Sequence, residues 1–110
     1  MKARIPGQPD RGAMMKRIQQ MQEDMERVQA EVESSSYSAS AGGGAVEVVV
    51  NGKHEVQSVT IQPDVVDPED VEMLQDMIIV AVNEAIRKAA EAMDKGIESA
   101  KGGLSIPGLF

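Results

Sequence analysis

His54 is the only histidine in the 110 residues, and it stands beside Glu55. General acid–base or metal chemistry needs several side chains converging on one point. Nothing in the sequence converges on His54, which reads as a turn or surface residue. Asp67, Glu69, Asp70 and Glu72 crowd the start of a helical pattern. Capping and solubility account for carboxylates there better than catalysis does. With no cysteine there is no thiolate nucleophile, disulfide or zinc–thiolate site. Gly42-Gly43-Gly44 precedes a strand rather than opening a helix, the wrong context for a phosphate loop. Eight methionines and only two aromatics, Tyr37 and Phe110, suit adaptable packing more than a shaped pocket. The expectation is a protein that is not an enzyme, with no metal, no cofactor and no small-molecule substrate.

The remaining chemical candidate is a group of cations: Lys2, Arg4, Arg11, Lys16 and Arg17. Against Asp10 alone they give residues 1–22 a charge of +4, while residues 23–110 carry −11. Most of such a surface repels nucleic acid, so any polyanion contact must be focused at the N-terminal end. The cations read either as a solvated helix end or, where a dimer presents two such ends, as a grip on a phosphate backbone. With so few aromatics, base stacking on single strands is disfavoured. Duplex DNA, gripped by its backbone and shape, is the expected ligand. Arg87 and Lys88 form a second, smaller basic spot.

These cations need a support, and the pattern supplies one. Met14, Ile18, Met21, Met25, Val28 and Val32 are spaced 4, 3, 4, 3 and 4 apart, a heptad seam on a helix from about Arg11 to Ser34. At about 1.5–3 kcal/mol per fully buried aliphatic side chain, a wet seam forfeits on the order of 10 kcal/mol. Two uses of the seam are open. One is a homodimer, the more economical solution for a chain this short. The other is antiparallel pairing with the second helix of the same chain.

Residues 1–12 hold two prolines and two glycines and read as a flexible basic arm. Ser34–Gly44 is small and polar, either a linker or an edge strand over Ser35–Ser40 followed by a glycine turn. Val46–Val50 is a strand, and Asn51-Gly52 predicts a two-residue type I′ turn in which both residues take positive φ. The return strand runs from about Lys53 to Gln62. Val56 is out of phase with Val59 and Ile61, and a bulge between Val56 and Val59 would reconcile them. Asp67-Pro68 predicts the start of a second helix reaching about Ala100. Its main stripe is Val71, Leu74, Ile78, Val82, Ala85, Ala89 and Met93, with Met73, Met77 and Val80 roughly opposite. Residues 102–110 form an apolar tail broken by glycine and proline. No stretch suits a signal peptide or a membrane span. A cytoplasmic protein with no membrane partner is expected.

The ordered set of motifs resembles the YbaB/EbfC family of bacterial nucleoid-associated proteins. It comprises Met15-Lys16 to Met21-Gln22, Gly44–Val48 leading to Asn51-Gly52, and Val59–Pro63. Leu74–Ile78, Ala81–Ala85, and Gly102–Leu104 with Pro107-Gly108 complete it. The resemblance implies an α+β fold: a long N-terminal helix, a three-stranded antiparallel sheet and a long C-terminal helix, in an intertwined tweezer-like homodimer. It favours a first strand over a linker, and a dimerising α-β-β-β-α domain over residues 13–101. It also implies nucleoid-associated binding of duplex DNA, with a role in chromosome organisation or gene regulation. Lys16, with Arg17 beside it, is the matching basic position. The rival expectation is a protein-interaction scaffold using the acidic surface and the apolar tail.

Overall fold

The periodic N-terminal third forms a helix, α1 (Arg11–Ser34), in the computed structural model, which describes residues 11–102. Three strands follow: β1 (Ser36–Ala41), β2 (Val46–Asn51) and β3 (Val56–Ile61). A 3₁₀ turn (Pro63–Val65) leads to α2 (Val71–Lys101). The strands pair antiparallel in the order β1-β2-β3. The polar Ser36–Ala41 segment is thus a strand, as the resemblance implied, and not a linker.

Registration puts the apolar residues on one face. Tyr37, Ala39 and Ala41 stand opposite Val50, Val48 and Val46. On the other side, Val46 and Val48 stand opposite Ile61 and Val59. Val49 pairs with Ser58 but Val50 with Val56, so the register shifts and Gln57 is the extra residue. This is the expected bulge, and it returns Val56 to the face of Val59 and Ile61.

That face packs on α2, which crosses β1 and β2. Val46, Val48 and Val50 are fully buried against Ala81, Ala85 and Ala89. Alanine at every fourth position lets the helix backbone approach the valine row closely. Leu74, Met77, Ile78, Val82 and Ile86 fill in around this line.

Three local expectations need correction. Helix α2 starts at Val71, not at Pro68, because Asp70 is the residue whose carboxylate accepts the Met73 N–H. Asp67 instead accepts from Glu69 N–H at 2.9 Å and holds a turn ahead of the helix. The β2–β3 connection is not a two-residue type I′ turn. Gly52 has no positive φ; His54 carries it, at 66°. Asn51 organises this longer loop, its Oδ1 accepting from Lys53 N–H (2.9 Å) and Glu55 N–H (3.0 Å). Gly52 is needed for another reason. A Cβ there would lie 2.0 Å from the Val32 carbonyl oxygen, because the end of α1 rests on the turn.

The third correction concerns the heptad seam. Its last four residues pair with α2 of the same chain, the alternative to a dimer seam. Val32 is buried, and Met21, Met25 and Val28 are half-buried. A Cβ on Gly96 would meet Val28 Cγ1 at 2.4 Å, so the two helices are in close contact there. They run antiparallel: α1 leaves the sheet backwards from Ser34, and α2 leaves it forwards from Ala89. The result is an elongated body of 86 × 24 × 16 Å.

Candidate nucleic-acid interface

The antiparallel pair has unequal ends. Beyond the Gly96–Val28 contact, α2 continues five residues to Lys101, but α1 extends seventeen to Arg11. At 1.5 Å per residue, α1 projects about 18 Å past the end of α2. The exposure pattern agrees: every residue from 11 to 20 is exposed, and Met21 is the first half-buried one. The seam residues Met14 and Ile18 are 46% and 47% exposed.

This projecting arm carries Arg11, Lys16 and Arg17, and no acid occurs between Arg11 and Glu23. Its first turn has no acidic residue, so the positive end of the helix dipole adds to the side-chain charge. Helical geometry spreads the three cations around the arm. Arg11 and Arg17 flank the Met14–Ile18 stripe on either side, and Lys16 lies on the far face, successive cations being about 100–140° apart. The arm is cationic from every direction and is not a one-sided patch. Lys2 and Arg4, named with this group from the sequence, lie outside the described residues, as does most of the N-terminal segment.

The second basic spot is already engaged. Arg87 donates to Glu91 at 2.7 Å and forms a two-pronged contact with Glu84. Hydrogen bonding to Arg87 holds the Glu84 carboxyl below its ordinary range, and the same contact raises Arg87. Lys88 donates to the Ser38 carbonyl of β1 at 2.8 Å. Neither cation is as available to a phosphate as those on the arm.

A hollow of about 490 Å³ lies between the β1–β2 glycine turn and the start of α2. Met73, Met77 and Val80, the second stripe, line it together with Asp70, Glu72 and Asp76. Its acidic rim opposes a polyanion. Among the described residues no set of three His, Cys, Asp or Glu is arranged to hold a metal ion. No described helix is long and apolar enough to cross a membrane.

An apolar surface is also left open beside β3. Val56 and Val59 share the face that α2 covers elsewhere, yet they are 48% and 43% exposed. The Met77–Lys88 flank of α2 faces the β1 side, since Met77 abuts Gly42 and Lys88 reaches Ser38. The opposite flank, Ile79, Val82 and Ile86, therefore overlooks β3. Ile79 is 55% exposed. Composition gave no sign of this patch; it depends on α2 lying off-centre on the sheet.

The model of the YbaB/EbfC DNA-binding family matches residues 8–104, nearly the whole chain. The chain belongs to the YbaB/EbfC DNA-binding family. A nucleoid-associated protein of Alkaliphilus metalliredigens is 57% identical over 104 residues, covering 94% of this chain and 91% of that protein. One from Acetivibrio thermocellus is 56% identical over 98 residues, covering 88% and 87%. The crystal structure of an uncharacterized protein from Helicobacter pylori superposes with a TM-score of 0.69 at 20% identity, covering 86% of this chain and all of that one. That likeness supports the fold. The family is described by its DNA binding.

Proposed function

We propose that the protein is a nucleoid-associated homodimer that grips duplex DNA by its phosphate backbone with the cationic arms of α1. One observation carries the reading. On a chain of net charge −7, the cationic N-terminal part of α1 is also the part that projects from the body, and residues 11–20 are all exposed. Arg11, Lys16 and Arg17 are the phosphate contacts, with Lys2 and Arg4 assisting. Phosphate contact fixes position without reading sequence, which fits a role in organising the chromosome or setting gene expression broadly. The names of the relatives from Alkaliphilus and Acetivibrio support placement at the nucleoid, and a cytoplasmic location goes with that reading.

The open patch supports the homodimer. Val56 and Val59 of one copy and the Ile79–Val82–Ile86 flank of another are complementary in a two-fold arrangement, each helix covering the other's uncovered strand. Such an arrangement presents two arms from one particle, like the jaws of tweezers. Both jaws contacting one duplex would offset the repulsion from the acidic body.

The test is DNA affinity measured against salt, with Lys16→Glu and Arg17→Glu introduced together. The expected outcome is a steep linear fall of log affinity with log salt for the native protein. In the variant, binding is lost while the dimer persists in sedimentation. Unchanged binding by the variant removes these residues from the site. Retention of proteins but no nucleic acid in a nuclease-controlled pull-down would favour the scaffold reading.

A further inference from the structure

We propose that the α1 arm of one copy seats its Met14–Ile18 stripe in the acidic hollow at the start of α2 in another copy. The two surfaces share one layout with opposite charge. On the arm, Met14 and Ile18 are exposed and four residues apart, and Arg17 flanks their stripe. In the hollow, Met73 and Met77 are also four apart, Val80 continues their line, and Glu72 and Asp76 flank it. Met73 and Val80 are themselves exposed. Among the described residues Glu72 and Asp76 form no ion pair.

The occupant cannot be the chain's own arm. From the Gly96–Val28 contact, Met77 lies nineteen residues back along α2 and Ile18 ten residues back along α1, in the opposite direction. At 1.5 Å per residue the two are about 43 Å apart along the axis. The proposed dimer surface does not compete either. The hollow lies on the flank of α2 that faces β1, and the Val56–Val59 and Ile79 patch lies on the β3 side. Direction follows from shape. With the arm antiparallel to α2, the docking copy's body lies beyond the N-terminal end of the other copy's α2; a parallel arm would drive that body alongside the other copy's sheet. Antiparallel pairing sets Met14 against Met77 and Ile18 against Met73. It also brings like flanks together, so Arg17 comes within about 3 Å, along the axis, of both Glu72 and Asp76. Arm and hollow are unlike surfaces, so the contact adds copies head to tail and does not close a pair. It goes beyond the DNA contact, and where that reading holds, a seated arm withdraws Arg17 from phosphate.

The test is sedimentation at rising protomer concentration and fixed salt. The native protein should form species larger than its low-concentration particle. Arg17→Glu should weaken that association about tenfold or more, because it sets like charges together. Adding Glu72→Lys and Asp76→Lys to the same chain should restore it. A native particle of constant mass, an unaffected Arg17→Glu protein, or a failure of the reversed charges to restore association overturns the proposal. The cysteine-free chain allows a second readout. Ile18→Cys and Met73→Cys proteins, one of them tagged, are mixed and oxidised. A mixed disulfide should form about tenfold faster than with Gln20→Cys, on the opposite side of the arm, in place of Ile18→Cys. The product should be larger than the uncrosslinked particle. Equal rates, or a product no larger than that particle, also overturn the proposal. Neither measurement contains DNA, so failure here is separable from failure of the DNA-binding reading.

Discussion

Replacing Gly52 by alanine adds one methyl group at the point where the end of α1 rests on the β2–β3 turn. The new Cβ would lie 2.0 Å from the Val32 oxygen, 2.4 Å from its carbonyl carbon and 2.7 Å from Glu33 Cα. All three are backbone atoms, so no side chain can rotate away. Ordinary contact requires about 3.5 Å, and the helix end must retreat by more than an ångström. That retreat loosens the buried Val32 and the bond from the Tyr37 hydroxyl to the Val32 carbonyl. Overpacking of this kind costs about 1–3 kcal/mol, and partial exposure of a valine adds about 1 kcal/mol. The stiffer unfolded chain returns about 0.4–1 kcal/mol. The expected net loss is about 2 kcal/mol, or roughly 10 °C in Tm, measured by urea and thermal unfolding at one fixed protomer concentration. Gly52→Asn discriminates between the two accounts of this glycine. If positive φ were the requirement, asparagine would be tolerated; if close approach is, asparagine is at least as harmful as alanine. A Gly52→Ala protein as stable as the native one, or an asparagine variant clearly better than the alanine one, refutes the steric argument. His54→Gly is the matching control. It relieves a positive φ of 66° at a side-chain-bearing residue and should leave stability unchanged or raise it by up to about 1 kcal/mol.

Val59→Asp places a charge in the open apolar patch, and sedimentation should show a dimer for the native protein and a folded monomer for the variant; an intact dimer of the variant would relocate the interface. Gly96→Leu wedges the α1–α2 contact at Val28, where a Cβ alone already falls at 2.4 Å, and is expected to cost about 1–3 kcal/mol with faster amide exchange around Met21–Val28. Glu84 tests a pH effect of known sign. Its folded value is lowered by Arg87, so its contribution is present above the ordinary carboxylate range and lost as pH falls through the lowered value. Because the pair is exposed, the effect is small: Glu84→Gln should slightly flatten the acid side of a stability-versus-pH curve, and an unchanged slope there would show the pair to be idle.

The sequence carried the elements and their periodicity a long way. The β-branched run of β2 and the out-of-phase Val56 pointed to a bulge, because a strand has only two faces and Val59 and Ile61 share one of them. The cationic end was visible as charge segregation alone. Alternatives with equal local chemistry were harder to separate. Asp67 and Asp70 are both competent caps, and which one opens α2 depends on the turn that Asp67 holds with Glu69. Asn51-Gly52 carries the composition of a tight turn, but Gly52 serves a neighbour twenty residues away.

Local covalent chemistry sets helix, strand and charge, since those depend on residues within a few positions of each other. Partner choice does not, because an apolar stripe is equally satisfied by any surface of matching shape. Folding gave four of the six α1 seam residues to α2, left Met14 and Ile18 exposed on a cationic arm, and opened an apolar surface at β3. Those outcomes follow from where α2 sits on the sheet, a matter of packing volumes between residues distant in the chain.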